Sequence, residues 1–159
     1  MRLTQWTDYT LRVLMYCAAC QHREQPVTIT EIAQNYGISR SHLTKIVQEL
    51  AAQKLLETTR GRGGGMRLKK PAHEIHLGDV VRATESDFTM VECFDPANNQ
   101  CRLSLHCGLK GVLSQAMQAY FLVLDKVTLA DLVAPRPVSV ASPPSRRERT
   151  VPGLPTLPA

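Results

Sequence analysis

The chain has 159 residues, of which 43% are hydrophobic and only 5% aromatic, and its formal net charge is +5 at pH 7. This length favours one domain with an extension, and no apolar run approaches the roughly 18 residues of a membrane span. The N-terminus lacks a signal-peptide pattern, so we expect a cytoplasmic protein with no membrane partner.

The first half of the chain has the pattern of a helix-turn-helix. Residues 5–21 are predicted to form a helix, and a second helix is expected to open at Thr30 and end at Gly37. Ser39 then caps a third helix that runs to about residue 53, with an apolar inner face and a basic outer face. Two helices joined by a glycine-containing turn, the second of them basic, are typical of this motif.

A basic hairpin follows the third helix. Residues 55–59 and 66–68 are predicted strands, and the glycine-rich, basic segment between them resembles the tip of a wing. Basic charge is concentrated here, because residues 1–70 carry eleven Lys or Arg against five Asp or Glu. Such a concentration indicates a nucleic-acid-binding surface, although a solvated basic face has the same composition. The candidate contacts to double-stranded DNA are Arg40, Ser41, His42 and Lys45 on the third helix and Arg60, Arg62 and Arg67 in the wing.

The second half contains two more helices and a turn-rich segment. A fourth helix is predicted over residues 75–85, a long helix over residues 108–126 and a last helical turn at residues 128–132. The apolar stripe of the long helix is wider than a small domain needs, which indicates packing against a second chain. Residues 135–159 hold seven of the ten prolines and are predicted to be a disordered tail.

Three cysteines, Cys93, Cys101 and Cys107, lie in or beside the turn-rich segment with the spacing Cys-x7-Cys-x5-Cys. Zinc sites usually pair their ligands as Cys-x2–4-Cys, whereas wide spacing suits a bulkier iron–sulfur cluster with one iron position left for another group. Three unrelated buried cysteines are the alternative interpretation. Cys17 and Cys20 lie on the first helix and are predicted to be small core residues rather than a redox pair.

Seven stretches carry a resemblance to a known family: LTQWTDYTLR at residues 3–12, ISRSHLTKI at 38–46, RGRGGGMRL at 60–68, IHLGDVVR at 75–82, VEC at 91–93, CGLK at 107–110 and the segment from Tyr120 through TLADL at 128–132. Together they resemble the NsrR/IscR-type winged-helix regulators over about residues 1–133. The resemblance implies a homodimeric transcriptional repressor that binds a palindromic operator and is not an enzyme. It also implies release of DNA when nitric oxide nitrosylates an iron–sulfur cluster.

The resemblance further implies that Cys93, Cys101 and Cys107 hold the cluster together with Asp8 of the partner subunit. A four-iron cluster is favoured, and a two-iron cluster is the alternative. Arg12 follows Asp8 by one helical turn and is placed to pair with it. Glu85 is a candidate second carboxylate at this site, with a solvated position as the alternative.

The predicted fold is therefore mainly α-helical with a small β-hairpin. Residues 1–74 form a winged helix-turn-helix domain, residues 75–134 a cluster-binding loop and dimerisation helix, and residues 135–159 the tail. Three other functions stay open: a regulator of the same scaffold that senses iron, cluster status or redox stress, a clusterless or zinc-containing DNA-binding protein, and an electron carrier. No catalytic constellation is present, since the histidines are scattered and no glycine-rich loop leads into a helix.

Overall fold

The structure, a computed structural model, describes residues 2–103 and 107–134, so the predicted tail lies outside it. Two strands and six α-helices follow in the order α1 (Gln5–Ala19), α2 (Ile29–Tyr36), α3 (Arg40–Ala52), β1 (Leu56–Thr59), β2 (Gly65–Leu68), α4 (Leu77–Thr84), α5 (Gly108–Asp125) and α6 (Leu129–Val133). Short 3-10 turns occupy Ala72–Glu74 and Glu92–Phe94. The mainly helical fold with one hairpin is confirmed. No helix in the described part of the chain is long and apolar enough to cross a membrane.

The second helix begins earlier than the sequence analysis predicted. Its N-cap is Thr28 rather than Thr30, because Thr28 and Glu31 form a capping box. The Thr28 hydroxyl accepts a hydrogen bond from the Glu31 amide at 3.2 Å, and the Glu31 carboxylate accepts one from the Thr28 amide at 3.4 Å. Thr30 has no acidic residue three positions later, so it cannot form this reciprocal pair. The helix ends as predicted at Gly37, whose φ of 64° is left-handed.

The core of the winged helix lies between α1, α2, α3 and the hairpin. The helix-turn-helix contributes fully buried Ile32, Leu43, Ile46 and Leu50, and α1 contributes Leu14. Leu129 of α6 is also fully buried, so the end of the described chain closes the core of the N-terminal domain. Cys17 lies in this core, as predicted, and Cys20 is half-buried beside it.

The fourth helix starts two residues later than predicted. Residues 75 and 76 are extended because their strand-like backbone pairs with the segment before α6. The amide of Leu77 donates to the carbonyl of Val127, and the amide of Leu129 donates to the carbonyl of Ile75, both at 3.0 Å. The start of the last helix is thereby fixed beside the residues that lead into α4, and α6 itself packs against α1 and the Ala72–Glu74 turn, whereas α5 packs against α4.

The hairpin is antiparallel, with Leu56 opposite Leu68 and Thr59 opposite Gly65. Met66 of β2 also pairs with Val27 in the connection between α1 and α2, through two backbone hydrogen bonds of 3.0 and 2.7 Å. The hairpin is therefore attached to the helix-turn-helix along its β2 edge.

Candidate nucleic-acid interface and thiol loop

The third helix presents its polar side to solvent. Ser39 caps it by accepting a hydrogen bond from the His42 amide at 3.4 Å, and the apolar face is buried in the core. The four residues predicted to contact DNA on this helix are all exposed, namely Arg40, Ser41, His42 and Lys45. Thr44 and Gln48 share the exposed side. This is the arrangement of a recognition helix, whose N-terminal residues face base edges in the major groove.

The tip of the hairpin carries two exposed arginines. Arg60 and Arg62 are exposed, and the glycines that follow them, Gly61 and Gly63, have φ values of 96° and 79°. These left-handed conformations are open to glycine at little energetic cost, which is why the tip can turn tightly between two arginines. Both arginine side chains are available to a phosphate backbone or to the minor groove.

The third arginine assigned to the wing lies elsewhere. The guanidinium group of Arg67 donates to the backbone carbonyl of Arg23 at 2.7 Å and to that of Glu24. Its side chain is half-buried and directed at the connection between α1 and α2. The structure therefore separates Arg67 from Arg60 and Arg62, which the sequence analysis had grouped together.

The three cysteines of the thiol loop (residues 93–107) are all free thiols. Cys93 is 9% exposed in a 3-10 turn, whereas Cys101 and Cys107 are half-buried, Cys107 directly before α5. Within residues 2–103 and 107–134, no three His, Cys, Asp or Glu side chains are grouped to hold a metal ion. Hydrogen bonds from Asn98 and from backbone amides lower the pKa of Asp95, so part of the loop is ordered by its own side chains.

Asp8 lies in the first turn of α1 and pairs with Arg12. The two carboxylate oxygens of Asp8 contact the guanidinium group at 2.9 and 3.1 Å, and this contact raises the pKa of Arg12. Both side chains are nearly half exposed, at 46% and 43%. The pair borders an open cleft of about 590 Å³ that is also lined by Gln5, Tyr9 and Tyr36. Asp8 is therefore reachable from outside the subunit.

Glu85 is half-buried and is hydrogen-bonded to the start of α1. One carboxylate oxygen accepts hydrogen bonds from the Thr4 amide at 2.7 Å and the Thr4 hydroxyl at 3.1 Å. Burial alone would raise the pKa of Glu85, but hydrogen bonds from Thr7 and Thr4 outweigh it and lower the pKa. Since Thr4 caps α1 and Glu85 ends α4, this contact joins the helix that carries Asp8 to the start of the segment leading to the thiol loop.

Sequence reasoning missed Tyr9. Its ring lies 6.2 Å from the His42 ring of the recognition helix, measured between centroids. The Arg12 guanidinium carbon lies 6.0 Å from the Tyr9 ring centroid, and the Tyr9 hydroxyl accepts a hydrogen bond from Gln5 at 2.8 Å. Tyr9 therefore lies close to both Arg12 of the Asp8 pair and His42, an exposed residue of α3 that the sequence analysis predicts to contact DNA. No sequence signal links positions 9 and 42, since 33 residues separate them.

A winged helix with an exposed, basic recognition helix defines a transcriptional regulator, and comparison with known proteins supports this class. The chain belongs to the Rrf2 family, described as "Iron-dependent Transcriptional regulator", whose model matches residues 3–135. It is 51% identical over 133 residues to the HTH-type transcriptional regulator NsrR of Bacillus subtilis, covering 84% of this chain and 90% of that protein. It is also 50% identical over 137 residues to Protein aau3 of Rhizobium meliloti, covering 86% and 88%.

Solved structures show the same fold. CymR (YrzC), the global cysteine regulator of B. subtilis, matches with a TM-score of 0.69 and 25% identity, over 84% of this chain and 96% of that one. IscR of T. potens matches with a TM-score of 0.66 and 23% identity, over 84% and 86%. The family resemblance drawn from the motifs is confirmed, and so is the prediction that the protein is a regulator and not an enzyme.

Proposed function

We propose that this chain is an iron–sulfur-dependent repressor that leaves its operator when nitric oxide reacts with the bound cluster. The observation that carries the proposal is its 51% identity to a regulator named NsrR across nine-tenths of that protein, in a family described as iron-dependent. The second half of the chain supplies three free thiols suited to iron. The first half supplies the exposed basic surface that binds DNA.

The donor set fits an iron–sulfur cluster by its chemistry. Thiolates are the usual ligands of such clusters, and none of Cys93, Cys101 and Cys107 is used up in a disulfide. Cys93, Cys101 and Cys107 would hold the cluster through their thiolates. A bound cluster would supply iron atoms that react with nitric oxide. Four irons are favoured, with two as the alternative.

We further propose that Asp8 of the partner subunit completes the ligand set. The carboxylate is reachable from the open cleft beside α1, and Arg12 is its one side-chain partner among residues 2–103 and 107–134. An exposed ion pair between helical neighbours is weak because solvent screens it, so Asp8 can exchange Arg12 for another partner at little cost. Arg12 then acts as the resting partner of Asp8 whenever the carboxylate is not a ligand. Glu85 holds the first turn of α1 in place during this exchange.

The proposal requires two copies of the chain, and α5 offers a surface for the second. Five of its exposed apolar residues follow the three-and-four spacing of a coiled-coil seam: Leu109, Val112, Ala116, Ala119 and Val123. The half-buried residues Leu113, Met117, Tyr120 and Leu124 lie about a quarter turn around α5 from this seam, and Leu124 packs against the core of the chain. The stripe predicted from sequence thus divides into an internal face and a seam that we assign to a homodimer. A two-fold dimer places two recognition helices against the two halves of a palindrome, about 34 Å apart.

The proposal is tested on protein isolated without oxygen. Iron and sulfide per chain are counted, and affinity for the native promoter is measured for the loaded protein, for the iron-depleted protein and after exposure to nitric oxide. We expect bound iron and sulfide and loss of DNA affinity with nitric oxide. Cys93→Ser should abolish loading, whereas Cys20→Ser, a matched change outside the thiol loop, should leave it intact.

Other results of these assays would each indicate a different function. Equal promoter affinity with and without iron would refute iron-dependent repression. Release of DNA on iron depletion without any response to nitric oxide would indicate a sensor of iron or cluster status. Colourless protein that contains zinc and no iron would indicate a clusterless regulator.

A further inference from the structure

The wing is joined to the rest of the domain by Arg67. Residue 67 lies in the middle of β2, and its guanidinium group donates to two consecutive backbone carbonyls, those of Arg23 and Glu24. These carbonyls belong to the connection between α1 and α2, more than forty residues away in sequence. A guanidinium group has five N–H donors in a rigid, planar arrangement, so two parallel hydrogen bonds fix its orientation as well as its position.

The connection that accepts these bonds is itself held by a second arginine. The Arg23 side chain donates to the carbonyls of Gln25 and Pro26 at 3.0 and 3.3 Å and contacts both carboxylate oxygens of Glu31 at 2.7 and 2.9 Å. Glu31 also accepts a hydrogen bond from the Tyr16 hydroxyl at 2.9 Å. The hydrogen bond from Arg23 is the largest cause that lowers the pKa of Glu31 to about 2. Residues of α1, α2 and the connection thus form one network beneath Arg67.

Backbone packing leaves the hairpin little room to shift against this network. Met66 and Val27 exchange two hydrogen bonds directly beside Arg67. A Cβ atom at Gly65 would lie 2.5 Å from the Val27 carbonyl oxygen, which shows how closely β2 approaches the connection. The base of the wing is therefore held against this connection.

We propose that Arg67 and Arg23 form a clamp that sets the angle of the wing, and that Arg67 is a positioning residue rather than a DNA contact. This inference rests on the proposed assignment of Arg60 and Arg62 to the DNA interface. Two cations on the tip contribute more affinity when the tip is already held near the phosphates, because ordering it on binding would cost conformational entropy. The clamp holds the wing in position before DNA binds. It also engages N–H donors of Arg67 that could otherwise bind a phosphate.

A double-mutant cycle separates positioning from contact. The wild type, Arg67→Ala, the pair Arg60→Ala with Arg62→Ala, and the triple variant are titrated with a mixed-sequence DNA duplex of about two helical turns at several salt concentrations. Each phosphate contact contributes about 0.9 to the slope of log affinity against log salt. If Arg67 positions the tip, Arg67→Ala lowers affinity and slope in the wild type and changes neither in the tip variant. If Arg67 contacts a phosphate, it lowers the slope by about 0.9 in both backgrounds, and the clamp is refuted.

Limited trypsin digestion supplies a readout that DNA contact would not change. Arg67→Ala should speed cleavage after Arg60 and Arg62 several-fold, whereas Lys69→Ala, which removes an exposed cation two residues away, should not. Arg67→Lys keeps the charge but has a single donor group, so it should restore part of the protection of the tip against trypsin. This variant also serves as the test if Arg67→Ala folds poorly. Unchanged cleavage in both Arg67 variants overturns the clamp. If the tip variant itself binds DNA like the wild type, the interface assignment fails, and digestion still decides the clamp.

Discussion

Val112 provides the sharpest test of the proposed dimer. Its side chain is 63% exposed at the middle of the α5 seam. Burying a whole valine or leucine side chain contributes about 1.5–3 kcal/mol, so covering the exposed part of Val112 contributes about 1–2 kcal/mol. A two-fold interface uses the residue twice, which makes about 2–4 kcal/mol per dimer. Val112→Asp removes this contribution and adds two carboxylates near the symmetry axis, so the dimer dissociation constant should rise by at least about 30- to 700-fold.

Sedimentation equilibrium measures that constant directly. Gln118→Asp is the matched control, since it adds the same charge to an exposed position of α5 outside the seam. We expect Gln118→Asp to stay dimeric and Val112→Asp to sediment as a folded monomer with unchanged circular dichroism. A Val112→Asp variant as dimeric as the control would show that this face of α5 is not the interface.

Three other changes address iron, DNA and acid stability. Cys93→Ser should reduce iron and sulfide per chain to background, measured by elemental analysis; full loading would exclude Cys93 as a ligand. Arg62→Ala should lower the salt slope of DNA binding by about 0.9, and an unchanged slope would remove it from the interface. The pKa of Glu31 is lowered to about 2 from an ordinary value of 4.5, so its stabilisation is complete above about pH 4.5 and is lost as the pH falls towards 2. Melting curves of Glu31→Gln should therefore differ from wild type at pH 7 and converge with it at low pH, and a constant difference would contradict this.

Elements with local signals could be predicted from the sequence. The serine cap of α3, the glycine stop of α2 and the glycine-rich hairpin tip each depend on a few adjacent residues, and the structure has all three. The start of α2 was misplaced because two threonines compete as its cap, and only the reciprocal bond with Glu31 decides between them. The start of α4 was misplaced for a different reason, since the residues before it pair with a segment some fifty positions later.

The contacts that give the candidate site its organisation could not be predicted in this way. Periodicity assigned the long helix one broad apolar stripe, and only packing shows which part of the stripe faces its own chain. Composition grouped Arg67 with Arg60 and Arg62, because a sequence gives the charge of a side chain but not its direction. Glu85 meets Thr4 across 81 positions, and no local pattern encodes that contact.

The position of Tyr9 gives the proposed switch a physical route to DNA. Its ring lies near both the Arg12 guanidinium group, which pairs with Asp8, and the ring of His42 on α3. In the proposed exchange, the Asp8 carboxylate leaves Arg12 and frees the guanidinium group beside Tyr9. The Tyr9 ring in turn lies near His42, which is predicted to face DNA. Coupling between distant sites is typically about 1–3 kcal/mol, or about 5- to 150-fold in affinity.

We therefore predict that Tyr9→Leu brings the ratio of promoter affinities of iron-loaded and iron-depleted protein towards one, while iron content stays at the wild-type level. Tyr9→Phe retains the ring and should keep the ratio, since the ring and not the hydroxyl meets His42. An unaltered ratio in Tyr9→Leu would mean that Tyr9 does not couple Asp8 to His42. The cluster would then affect DNA binding through the arrangement of the two subunits.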